Sequence, residues 1–150
     1  MPYEEKVTWV SLVVIAVVPV AYFAIMLGRL GEVSAADISY RWPLLIAIGA
    51  SIVLTIVGTI VTAIGTGISA ELRGRSASDE VDRKDERDKQ ISRHGDLIGF
   101  YVSACGMVGV LALTMLEYDY FWIASALYLS FAVGTVVGSA VKIALYHRGF

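Results

Sequence analysis

The sequence predicts an all-α protein, a four-helix transmembrane bundle with a charged cytoplasmic helix between spans two and three. Of its 150 residues, 57% are apolar, and the mean hydropathy is +0.68, whereas a soluble domain is about half apolar or less. The apolar residues form four long blocks, and no block contains Asp, Glu, Lys, Arg or His. A segment inside lipid must satisfy its own backbone hydrogen bonds, so we expect each block to be a helix.

Each block has the roughly 20 residues that a helix needs to cross about 30 Å of hydrocarbon. In chain order the predicted spans are 7–27, 44–64, 97–116 and 120–141. The first is expected to be a retained helix, because its apolar stretch exceeds the roughly 7–15 residues of a signal peptide. Pro19 lies in its middle and is expected to kink it. Too few residues remain for a soluble domain, so 1–150 is predicted to be one membrane domain.

The basic residues predict the orientation, because Lys and Arg accumulate in cytoplasmic loops. Of the twelve Lys and Arg residues, ten precede the first span, follow the fourth, or lie between the second and third. The other two, Arg29 and Arg41, lie between the first and second spans. Both termini are therefore predicted to be cytoplasmic.

The charged cytoplasmic helix is predicted within the loop 71–94, beginning near Ser78, which is a suitable helix cap. Acidic residues precede basic ones by four positions, as in the pair Asp79 and Arg83, and that order supports a helix. The loop holds seven acidic and seven basic residues. This balance argues against a polybasic lipid switch and against nucleic-acid binding.

A helix that is polar on all sides either stands in water or meets a partner through charge. We interpret this one as a docking surface for an unknown cytoplasmic protein. The proposed docking residues are Asp85, Glu86, Arg87, Asp88 and Arg93. We predict no catalytic residues, metal site or cofactor, because no acid, base and nucleophile converge and the helical carboxylates spread around the axis.

Small residues at four-residue spacing predict where the helices pack, because helices in lipid associate through close backbone approach. The pattern occurs in spans two, three and four. The predicted packing residues are Ser51, Thr55, Thr59, Gly99, Ser103, Ser130, Gly134 and Gly138. Two interpretations remain open for the fourth span, which are packing inside one bundle and a homodimer face.

The stretch from Asp85 to Gly95, which reads DERDKQISRHG and runs straight into an apolar helix, resembles a bacterial family. The members are small four-span membrane proteins of unknown function that share a DERD-x-x-I sequence beside the membrane. The resemblance implies the same architecture and a bacterial inner-membrane location. It implies no activity.

The leading expectation is a non-enzymatic integral membrane protein, an accessory or regulatory subunit that uses its charged helix to dock a partner. The alternative is an oligomeric transporter or channel subunit. Against that alternative, no span carries an ionisable residue, whereas substrate and proton pathways usually do. An enzyme ranks third.

Overall fold

The computed structural model describes the backbone of residues 3–71 and 78–148, and the side chains of residues 5–65 and 86–147. Within these residues the chain forms four α-helices and no strand. They are α1 (Tyr3–Leu30), α2 (Arg41–Glu71), α3 (Ser78–Met115) and α4 (Tyr120–Arg148).

All four described helices are long and apolar enough to cross a membrane. Their outer surfaces are apolar as well, since large side chains such as Val20 and Phe100 are about two thirds exposed, at 68% and 69%. An apolar exterior of this extent is stable only against lipid or another apolar surface. The fold is therefore that of a multi-pass membrane protein, as the composition predicts.

The charged segment is not a separate helix, which corrects the prediction from the sequence. Helix α3 runs without a break from Ser78 to Met115, so the charged residues form its first turns and the third span its last. The physical reason is that no proline interrupts these 38 residues, and extending an existing helix is less costly than nucleating a new one. The segment 72–77 lies outside the described residues.

Local chemistry accounts for the start of α2 and the end of α3. Pro43 lies in the first turn of α2, where its missing N–H is not needed. Helix α3 ends in a Schellman motif, because the N–H of Tyr118 donates to the Leu113 carbonyl at 3.1 Å and that of Glu117 to the Thr114 carbonyl at 3.2 Å. Glu117 takes the left-handed conformation that this motif requires, with φ at 56°.

The helices pack in the spatial order α2, α1, α4, α3, because α1 packs on α2 and α4, and α4 packs most extensively on α3. Among the described residues α2 and α3 scarcely touch. The start of α1 lies beside the end of α4, where Glu5 and His147 approach to 3.5 Å. We call this the terminal end of the bundle, and the opposite end, with the connections 31–40 and 116–119, the hairpin end.

The buried core lies at the hairpin end, between α1, α2, α4 and the 31–40 connection. Its members are Tyr22, Met26, Ile38, Ala47 and Phe121. The Tyr22 hydroxyl lies 3.2 Å from the Ser125 hydroxyl, a buried hydrogen bond that joins α1 to α4. Pro19 is buried one turn before Tyr22, and α1 continues through it.

Candidate functional site

Helices α3 and α4 pack most closely, and small residues lie at their contact. A methyl group added at Gly99 would lie 2.7 Å from the Gly134 carbonyl oxygen, and one at Gly138 would lie 2.8 Å from the Gly95 carbonyl oxygen. Ser103 packs against Gly134, and the Ser130 side chain lies against Gly106. Backbones at this distance leave no room for a side chain, so these glycines set the spacing between α3 and α4.

The face of α4 that carries Gly134 and Gly138 thus lies against α3 of the same chain. A homodimer through span four stays a prediction, and it would need another face of α4 or an exchange of α3 between copies. The hydroxyls of α2 hydrogen-bond within their own helix, since Ser51, Thr55 and Thr59 each donate to the carbonyl four residues earlier at 2.7–2.9 Å.

A groove follows the seam between α3 and α4 on the side that faces α1 and α2. It has a volume of about 540 Å³ and runs along α3 from Gly95 to Met107. Ser11, Ile15 and Thr55 line its far side. The groove exists because α2 and α3 flank the bundle without packing on each other. Its middle is apolar or hydroxyl-bearing, and its only charged lining residues lie at the terminal end.

An ion pair between α3 and α4 marks that end of the groove. The Lys142 ammonium lies 2.7 Å from an Asp96 carboxylate oxygen. The two partners differ in environment, because the Lys142 side chain is 19% exposed and that of Asp96 is 69% exposed. Ser92 also donates to Asp96, at 3.2 Å. A pair this open to solvent contributes only about 0–1 kcal/mol, so it positions Lys142 more than it stabilises the bundle.

A second polar contact at the terminal end joins α1 to α4. Glu5 is buried, and its carboxylate lies 3.5 Å from Nε2 of His147. The other ring nitrogen, Nδ1, lies 3.0 Å from the Ile143 carbonyl, which can only accept a hydrogen bond. Sequence reasoning missed this pair, because nothing in the local sequence relates residues so far apart.

The proposed docking residues lie in the part of α3 that leads into the bundle. Glu86, Arg87 and Arg93 are exposed, and Asp88 is half-buried with an electrostatic or hydrogen-bond partner. Asp85 belongs to α3, but its side chain lies outside the described residues. Ile91 is buried to 2% exposure, so the helix is not polar on all sides where it approaches α4.

No three His, Cys, Asp or Glu side chains come together as metal ligands among the residues whose side chains are described. Comparison with the models of known families, with curated proteins and with solved structures finds no match to this chain. The resemblance that rests on residues 85–95 is therefore neither supported nor opposed by these comparisons, and it stays a prediction.

Proposed function

We propose that this protein is a non-enzymatic accessory or regulatory subunit of a bacterial inner membrane, with both termini in the cytoplasm and a charged segment that docks a cytoplasmic partner. The observation that supports the proposal best is the continuity of α3. The charged segment is joined to the third span by unbroken helix, so a partner bound there is held at a fixed distance and angle from the bundle.

The length of this extension suits a docking role. From Ser78 to Gly95 the helix rises about 26 Å at 1.5 Å per residue, which is enough to reach beyond the headgroup layer. Exposed residues of both signs, such as Glu86 and Arg87, occupy its surface. Charges of both signs set which partner fits, since a like-charge contact repels.

The test is a charge reversal in the segment, Asp85→Lys with Glu86→Lys. A photoreactive amino acid in place of Arg87 would record cross-linked proteins in intact membranes. We expect a discrete cross-linked partner in the parent chain and its loss in the charge-reversed chain. Membrane insertion is expected to be unchanged, because the spans are untouched and the added charge favours the proposed orientation.

The matched control reverses two exposed carboxylates at the hairpin end, Glu32→Lys with Glu117→Lys. It changes the net charge of the chain by the same amount and leaves the basic residues ten against four in favour of the same orientation, so the cross-linked partner should persist. A partner that survives the reversal at Asp85 and Glu86 as well would mean that the segment is a solvated connector. The accessory-subunit proposal would then lose its support.

A further inference from the structure

The groove between α3 and α4 continues at its terminal end onto the outer surface of α3. A second, more open concavity of about 590 Å³ lies there, lined by Lys89, Arg93, Leu97 and Tyr101 among others. Asp96 and Phe100 line both hollows, so the two adjoin at these side chains. We call the two hollows together the α3 groove, which has basic residues at its mouth and apolar residues along its length.

The apolar part of the α3 groove has the depth of one membrane leaflet. From Asp96, the charged lining residue nearest its apolar part, to Met107 at its far end, α3 rises about 16 Å. Half of a hydrocarbon layer is about 15 Å. The charged mouth therefore sits at headgroup level when the apolar part sits beside the acyl chains.

The mouth is locally basic although the segment 71–94 carries no net charge. Three basic side chains, Lys89, Arg93 and Lys142, and a single carboxylate, Asp96, line the two hollows. Lys142 pairs with Asp96, and Lys89 has a polar partner of its own. Most of the acidic residues of the segment precede Lys89 and lie further along α3 from the bundle. Among the described side chains Arg93 has no ion-pair partner. A guanidinium free at headgroup level is well suited to a phosphate, which it can bind through two hydrogen bonds.

We propose that the α3 groove binds an anionic phospholipid, with its phosphate at Arg93, Lys89 and Lys142 and one acyl chain along the seam past Phe100 and Ala104. Basic pockets between transmembrane helices on the cytoplasmic side are known places for anionic headgroups. A soluble anion would make no contact with the apolar residues along the groove. An uncharged lipid would offer no negative charge to the basic residues at its mouth. The lipid site does not depend on the docking proposal.

The test measures phospholipid binding to the purified full chain by native mass spectrometry, with phosphatidylglycerol and phosphatidylcholine of identical acyl chains. We expect tighter binding of phosphatidylglycerol, by about fivefold for each basic side chain that meets the headgroup. Lys89→Gln with Arg93→Gln keeps the Lys142 ion pair and should remove most of that preference. Arg29→Gln with Arg41→Gln, the basic residues nearest the hairpin end, should leave the preference unchanged.

A second pair of variants tests the acyl part of the groove without touching its charges. Ala104 lines the groove, so Ala104→Phe should fill it and weaken binding of phosphatidylglycerol. Val108→Phe adds the same ring one turn along α3 at a position that is 66% exposed and outside the groove lining, and it should not.

Three results would overturn the proposal. The first is equal affinity of the parent chain for the two lipids. The second is equal binding by the Ala104→Phe and Val108→Phe chains, which would place the acyl chain elsewhere. The third is displacement of phosphatidylglycerol by inorganic phosphate alone, which would identify the mouth as a site for a free anion.

Discussion

At the scale of single residues, glycine matters most where two backbones meet. A Cβ atom at Gly138 would lie 2.8 Å from the Gly95 carbonyl oxygen and 3.4 Å from the Gly99 Cα atom. These neighbours are backbone atoms, which cannot rotate away as a side chain can. Any substitution there must therefore shift the backbone of α3 or α4.

We therefore predict that Gly138→Ala lowers the free energy of unfolding by about 1–3 kcal/mol, the usual cost of overpacking. Gly109→Ala is the matched control, because nothing lies within 4 Å of a Cβ atom there. It should be neutral or stabilising by up to about 1 kcal/mol, through helix propensity. Denaturant unfolding in detergent measures both effects. Equal effects would show that α3 and α4 leave room for a methyl group at Gly138.

The hydrogen bond between Tyr22 and Ser125 provides a second residue-scale prediction. Tyr22→Phe should lower the free energy of unfolding by about 0.6 kcal/mol, and by no more than about 1.7 kcal/mol, as found for hydrogen bonds between membrane helices. Tyr101→Phe, at a tyrosine that is 60% exposed, should change nothing. A double-mutant cycle with Ser125→Ala isolates the bond, and effects additive within about 0.3–0.5 kcal/mol would mean that it contributes nothing.

At the scale of helices, the sequence predicts that four helices exist but not how far they extend. Hydropathy marks the segment inside lipid, whereas an existing helix can extend beyond it, because propagation is less costly than nucleation. Helix α2 therefore continues past Ile64 to Glu71, and α3 begins at Ser78 rather than at Leu97. The same reasoning explains why the charged segment appears from the sequence as a helix of its own.

The end of α3 carries a conformational cost that can be removed. Glu117 has a φ of 56°, and a residue with a Cβ atom pays roughly 1–2 kcal/mol in this region. We predict that Glu117→Gly raises the free energy of unfolding by about 1 kcal/mol, because glycine adopts this conformation freely. Glu117→Ala retains the Cβ atom and should give no such gain. If both variants stabilise equally in denaturant titrations, the carboxylate and not the backbone is responsible.

At the scale of the whole molecule, the sequence could not predict which helices are neighbours. Small-residue spacing occurs in spans two, three and four alike, yet the structure places the glycines of α3 against those of α4 and leaves the α2 hydroxyls bonded within their own helix. The α3 groove and the contact between Glu5 and His147 follow from this pairing. Both depend on side chains from distant parts of the chain, so no local pattern indicates them.

The last prediction concerns how the bundle sits in the membrane. Glu5 and His147 lie together, so the start of α1 and the end of α4 share one end of the bundle. In the sequence, ten of the twelve Lys and Arg residues precede the first span, follow the fourth, or lie between the second and third. Because basic residues stay in the cytoplasm, reporter fusions after Arg75 and after Arg148 should report the cytoplasm, and fusions near Ala36 and after Glu117 the exterior. The two hairpin positions are controls for each other, since they share one end of the bundle. An exterior signal after Arg75 would reverse the orientation and remove the charged part of α3 from any cytoplasmic partner.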